Sequence, residues 1–135
     1  MSIHLKPFIY KLRIVNRTLS ALDVSMSLLI EGMWFRDGAD GEGPVAVQPW
    51  SDAEVLGIRG LRSGTRGYAF ECAWGCEGEG GEPPTRIRLA VTVPFLGGKN
   101  KAGLDTSSRF KIEGWNGIPL YGHAFEQVLT LSYRA

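Results

Sequence analysis

The chain has 135 residues, a length that fits one domain with its own hydrophobic core. Its 15 lysines and arginines nearly balance its 14 aspartates and glutamates, so net charge does not steer it toward nucleic acid or an anionic membrane, and any anion binding must be local. Lys6, Lys11 and Arg13 interrupt the apolar N-terminal segment, unlike a signal peptide, and no apolar run has the length of a spanning helix. We therefore expect one soluble domain over residues 1–135, either cytoplasmic or released without a classical signal.

Alternating apolar residues predict the first two strands. In the first, Phe8, Tyr10, Leu12 and Ile14 share one parity, while charged residues take the other. Residues 16–20 read as a turn. The second apolar stripe consists of Leu22, Val24, Met26, Leu28 and Ile30. We expect these two strands to pair as a hairpin or to face each other across a sandwich.

The same two-residue period continues along the rest of the chain. It recurs around residue 55 and over residues 68–74, 87–93, 110–112 and 129–133. Glycines and prolines concentrate between these stretches, at 37–44, 76–84 and 96–103, and mark loops. No window shows a helical period. Short strands with regularly spaced turns predict an all-β fold, a single-domain antiparallel β-sandwich.

Metal and cofactor sites have little support in the sequence. Cys72 and Cys76 cannot build a zinc site alone, and neither histidine stands at a ligand spacing from them. We expect two reduced thiols, one of them packed in the core, although a tight disulfide across the turn is the alternative. The acidic glycine-rich loops at 37–42 and 77–82 match no calcium-loop order and are interpreted as solvated turns.

Catalysis has equally little support. A serine or cysteine hydrolase needs a base beside its nucleophile, and the two histidines, His4 and His123, lie in no such motif. Glu71 is the best single carboxylate, but glycoside hydrolysis requires a pair. We therefore predict that the protein is not an enzyme and uses no cofactor.

An arginine- and glycine-rich segment, residues 57–67, is a candidate anion site. Arg59, Arg62 and Arg66 lie among glycines that would let backbone amides approach a ligand. Guanidinium groups suit phosphate oxygens, so the segment could bind a phospholipid headgroup or a sulfated sugar. An ordinary charged loop is an equally good interpretation. RNA binding is a minor alternative, because arginine–glycine RNA-binding segments are longer and disordered.

The four tryptophans form the second candidate surface. Trp34, Trp50 and Trp115 follow or precede strand patterns, where an indole could dock at a membrane interface or stack on a sugar ring. Trp74 ends an aromatic stripe, and we expect it in the core. Trp34 could also pack there.

Several short motifs resemble those of the aegerolysins, small single-domain β-sandwiches that share their general shape with actinoporin-like cytolysins and fungal fruit-body lectins. The glycine-to-tryptophan element at 32–34 is similar to the aegerolysin opening. The sequence Ser-Gly-Thr-Arg-Gly at 63–67 resembles the family's SGT-x-G element, and Val-Pro-Phe-Leu-Gly at 93–97 resembles its proline–aromatic–glycine element. Residues 122–124 look like its approach to the last strand. Thr92 and Val93 replace the family's usual tryptophan–aspartate pair.

The resemblance covers nearly the whole chain and implies binding to particular membrane lipids, such as sphingolipids or sterol-rich domains. Some aegerolysins also recruit a larger pore-forming partner. We therefore expect a cytolysin-like module that binds lipid headgroups, either a toxin or the targeting component of a two-component pore. In this hypothesis the three tryptophans anchor the membrane and the arginines bind phosphate. The alternatives are a carbohydrate-binding lectin and a non-enzymatic defence or effector protein that binds another protein.

Overall fold

The computed structural model describes residues 8–36, 39–61, 67–76, 85–95, 98–107 and 109–133. This part of the chain is built from β-strands, as the alternation of apolar residues predicted. The strands are β1 (Ile9–Asn16), β2 (Asp23–Glu31), β3 (Met33–Arg36), β4 (Ala39–Asp40), β5 (Ser51–Arg59), β6 (Tyr68–Cys76), β7 (Thr85–Val93), β8 (Lys101–Thr106), β9 (Phe110–Glu113) and β10 (Ala124–Tyr133). None of the described residues belongs to a helix long and apolar enough to cross a membrane.

The strands form two sheets, which confirms the predicted β-sandwich. The six-stranded sheet has the order β4-β3-β5-β1-β10-β9, and the four-stranded sheet has the order β2-β6-β7-β8. Strands β1 and β2 lie in different sheets, so they do not pair as a hairpin. The pairing is antiparallel except between β1 and β10, which run parallel from Ile9 beside Ala124 to Asn16 beside Leu131.

The core lies between the sheets and is aromatic at its centre. The rings of Tyr10 and Phe70 meet with centroids 5.6 Å apart. Trp74 is fully buried, as predicted, and its indole Nε1 donates a hydrogen bond of 2.9 Å to the Val45 carbonyl. Cys72 is also buried, and this burial raises the pKa of its thiol to about 11, although hydrogen bonding with Ser27 opposes the rise. One thiol in the core is what the sequence predicted.

Strand β2 departs from its predicted pattern. The stripe from Leu22 to Ile30 was expected to face the core, yet Leu28 and Ile30 are exposed. The register of β2 against β6 shifts between Val24 and Met26 and again between Leu29 and Glu31. Each irregularity changes which parity faces inward, and β2 is one of the two edge strands of its sheet, so it has a paired neighbour on one side only. The prediction of a continuous buried stripe was wrong for this strand.

The sandwich has two ends, which the strand directions define. We call the end where β1 and β6 begin and β5 and β7 finish the Phe95 end, because Phe95 follows β7 there. At this end the Tyr68 hydroxyl donates to the carbonyls of Ile9 (3.1 Å) and His123 (3.2 Å), which joins the two sheets. The opposite end, where Trp50 precedes β5, is called the Trp50 end.

Candidate functional site at the Phe95 end

Three rings form a cluster at the Phe95 end. Phe8 stacks on the His123 imidazole with centroids 4.2 Å apart and an interplanar angle of 14°. The other neighbour of Phe8 is Phe95, whose ring centroid lies 5.6 Å away. The Ile9 amide donates to the His123 carbonyl at 2.8 Å, so the sheet itself fixes the position of the histidine. His123 thus packs in an aromatic cluster, which is one of the two roles, packing or facing solvent, that the sequence favoured over a catalytic base.

Around this cluster the loops expose apolar side chains to solvent. Leu61, Phe95 and Leu120 are each exposed, and Tyr121 is 69% exposed. Isolated exposed apolar residues are common on any protein, but these four lie on three separate loops that converge at one end. Their convergence makes this end a candidate surface for contact with an apolar phase or partner.

The loop that carries Leu120 and Tyr121 is held in place by one buried asparagine. The Asn100 amide N–H donates to the Leu120 carbonyl at 2.8 Å, and its side-chain Nδ2 donates to the carbonyls of Pro119 (3.1 Å) and Gly122 (2.9 Å). A buried side chain that satisfies several backbone carbonyls fixes a loop without any regular structure. The exposed rings are therefore presented by a positioned loop.

Cationic side chains accompany the apolar ones at this end. Arg59 ends β5, and its Nη2 lies 3.6 Å from the Met33 sulfur. Lys99 and Lys101, both exposed, lie where β8 begins, and the acidic Glu31 ends β2 there. Exposed apolar side chains with basic side chains nearby are typical of surfaces that lie at lipid headgroups. Of the three predicted arginines, Arg59 lies at this end, whereas Arg62 and Arg66 lie outside the described residues.

The three tryptophans predicted as anchors do not come together. Trp34 lies near the Phe95 end, where it pairs with Ile58, but its ring is partly buried and packs edge-on against Phe70 with centroids 5.6 Å apart. Trp50 is 65% exposed at the opposite end. Trp115 follows β9 and packs partly buried against the core at the side of the sandwich.

The sequence did not predict that Phe8, Phe95 and Tyr121 would lie at one end of the fold. Phe8 and Phe95 were assigned to a strand stripe and to a family motif, and Tyr121 to no feature. A usable signal was present, because Tyr121 sits beside a leucine between a proline and a glycine, which marks an apolar loop tip. The two lysines were likewise overlooked, since they are separated in sequence from the arginine-rich segment.

Other candidate chemistry finds no support in the described residues. Glu71 forms an ion pair with Arg88 at 2.9 Å on the outer face of the four-stranded sheet, which gives it a structural partner. Among the residues that the structure describes, no group of three histidine, cysteine or acidic side chains is arranged to hold a metal ion.

The fold is similar to that of a solved protein. The crystal structure of RahU in complex with a TRIS molecule matches with a TM-score of 0.68 over 94% of this chain and 96% of that chain, at 14% identity. RahU is an aegerolysin-family protein. The fold is therefore aegerolysin-like. No protein-family model matches the chain, and no curated protein matches its sequence. The comparison with RahU supports the aegerolysin-like β-sandwich that the short motifs suggested, at the level of architecture.

Proposed function

We propose that this protein binds the headgroups of membrane lipids through the Phe95 end, as a cytolysin-like module that acts at membrane surfaces without being an enzyme. The observation that carries the proposal is the convergence of exposed Phe95, Leu120, Tyr121 and Leu61 on the end that also holds Arg59. The aegerolysin-like fold agrees with it, because the resemblance of the short motifs to aegerolysins implies lipid recognition.

The physical argument combines an apolar and an electrostatic contribution. Covering an exposed aromatic ring with lipid removes apolar area from water at about 25 cal/mol per Å². A basic side chain near an anionic surface adds about 1 kcal/mol at physiological ionic strength. Lys99 and Lys101 can therefore contribute locally although the whole chain carries a net charge of only +1. Neither contribution requires a spanning segment, so the protein would lie on the bilayer.

This orientation leaves the Trp50 end facing away from the membrane. A larger pore-forming partner, which the family resemblance implies, would then meet Trp50 and its surroundings rather than the lipid-facing loops. The roles of Arg62 and Arg66 in binding phosphate remain part of the same proposal.

The test is co-sedimentation with liposomes of defined composition: phosphatidylcholine, phosphatidylserine, sphingomyelin with cholesterol, and ceramide phosphoethanolamine. Tryptophan emission is recorded in the same samples, because Trp34 lies near the lipid-facing end. Selective pelleting with one lipid class supports the proposal. If no composition pellets the protein while circular dichroism shows it folded, the proposal fails, and a glycan array then tests the lectin alternative.

A further inference from the structure

A cavity of about 360 Å³ lies at the Trp50 end, where three strands of the four-stranded sheet meet. Its volume is within the range of small-molecule sites. The described residues that line it come from β2, β6 and β7: Asp23, Val24, Ser25, Gly75, Cys76, Thr85 and Arg86. It is therefore separated from the Phe95 end by the length of the sandwich.

The strand register places two opposite charges on the rim of this cavity. Asp23 pairs with Gly75, and Gly75 pairs with Arg86, so the three residues form one row across β2, β6 and β7. Two strand spacings separate the outer members, which puts their Cα atoms roughly 10 Å apart. Gly75, the middle residue of this row, has no side chain.

Gly75 is required at this position, and it keeps the space between the charges open. A Cβ atom added there would lie 2.5 Å from the Thr85 carbonyl oxygen, closer than such atoms approach. In the next row along the strands, the Cys76 sulfur lies 2.8 Å from the Thr85 hydroxyl. The cavity thus has a negative side chain on one side and a positive side chain on the other.

Asp23 and Arg86, the two charged residues at the rim, form no ion pairs in the described part of the chain. Arg88, two residues further along β7 on the same face, pairs with Glu71 at 2.9 Å. No such contact joins Asp23 or Arg86 to another described residue. A guanidinium and a carboxylate that line one cavity without forming an ion pair with each other complement a ligand that carries both charges.

We propose that this cavity binds a small zwitterion, an ammonium group joined to a carboxylate by a short flexible chain. The Arg86 fork receives the carboxylate, Asp23 receives the ammonium group, and the exposed Ser25, which also lines the cavity, supplies a hydroxyl that can hydrogen-bond the ligand. This site is independent of the proposed lipid surface, because it lies at the other end of the molecule.

Ligand binding in the cavity can be followed through the reactivity of one of the protein's own cysteines. Cys76 lines the cavity and is partly exposed, whereas Cys72 is fully buried. Alkylation by iodoacetamide, followed by peptide mass spectrometry, reports occupancy at Cys76 with Cys72 as the internal control. The probes are 6-aminohexanoate, which can span the rim charges, and glycine, which is too short. Hexanoate and hexylamine each supply one charge.

We expect 6-aminohexanoate to slow Cys76 alkylation saturably, and the single-charge probes and glycine to do so only at about tenfold higher concentration. Arg86→Gln and Asp23→Asn should each raise the half-protecting concentration by about tenfold, whereas the matched control Arg88→Gln should not. Equal protection by all four probes, or unchanged protection in both rim variants, would overturn the proposal. Protection by phosphatidylethanolamine vesicles alone would also overturn it, because it would assign the cavity to a membrane headgroup.

Discussion

Removing the exposed rings at the Phe95 end should weaken liposome binding by an amount that follows from their exposure. An aromatic side chain buries roughly 200 Å² when fully covered. Covering the exposed 43% of Phe95 therefore removes roughly 85 Å² from water, worth about 2 kcal/mol. For Tyr121, 69% exposed, the same reasoning gives about 3 kcal/mol after allowance for its hydroxyl. Phe95→Ala and Tyr121→Ala should thus reduce the partition coefficient about 30-fold and about 100-fold.

The matched control is Trp50→Ala. Trp50 is 65% exposed, comparable to Tyr121, but it lies at the other end of the sandwich. Partition coefficients come from titrating each variant with the liposomes that bind the wild-type protein, and thermal unfolding checks that each variant is folded. If Trp50→Ala loses more binding than Tyr121→Ala, the protein approaches the bilayer by its Trp50 end, and the orientation argued above is refuted.

Three further predictions concern stability. Trp74→Phe removes a buried hydrogen bond and leaves a cavity, so urea unfolding should show a loss of about 2–3 kcal/mol, and a loss below about 0.5 kcal/mol would contradict this account. Asn16→Ala removes the buried amide that joins the loops after β1 and before β5, and should cost about 3 kcal/mol, whereas an unchanged urea midpoint would refute that role. Burial raises the pKa values of Tyr10, Tyr68 and Cys72, so the folded state holds protons that the unfolded state releases in alkali. Stability should be complete below about pH 8.5 and fall as the pH rises from 9 to 11, by at most about 1.4 kcal/mol per pH unit for each group, and a flat profile to pH 11 would exclude this linkage.

The sequence predicted the burial of those strands in which the two-residue period of apolar side chains alone determines which residues face the core. Strands β6 and β7 lie inside the four-stranded sheet with partners on both sides, and the apolar stripes predicted for them are buried. Burial in β7 alternates along the strand, whereas in β6 the small side chains of Ala69 and Ala73 on the other face are buried as well. Strand β2 shows the same two-residue period in its sequence, but its two register shifts and its edge position change which of its residues are buried. Bulges are set by the partner strand, and a single-sequence period does not contain that information.

Only part of the candidate site could be predicted, because its residues are brought together by the topology of the strands. The sequence identified Arg59 and pointed to loops, but it grouped Trp34 with Trp50 because both flank strand patterns. In the fold β5 begins beside Trp50, and Trp34 pairs near its far end, so one strand length separates them. Phe8, Phe95 and Tyr121 are distant in sequence and lie at one end of the sandwich because β1 and β10 begin there and β7 finishes there. Such neighbours follow from topology, which the sequence period does not define.

The parallel pairing of β1 with β10 has a consequence for how the protein is made. The centre of the six-stranded sheet joins the first described strand to the last one, so its hydrogen bonds cannot form until β10 has left the ribosome. Contacts of such sequence separation slow folding, because the loop entropy is lost before the contacts compensate for it. Until then β1 can pair only with β5, and one edge of β1 stays open. Chaperone demand during synthesis should therefore fall sharply once β10 emerges, and a chain truncated before Ala124 should remain associated with chaperones.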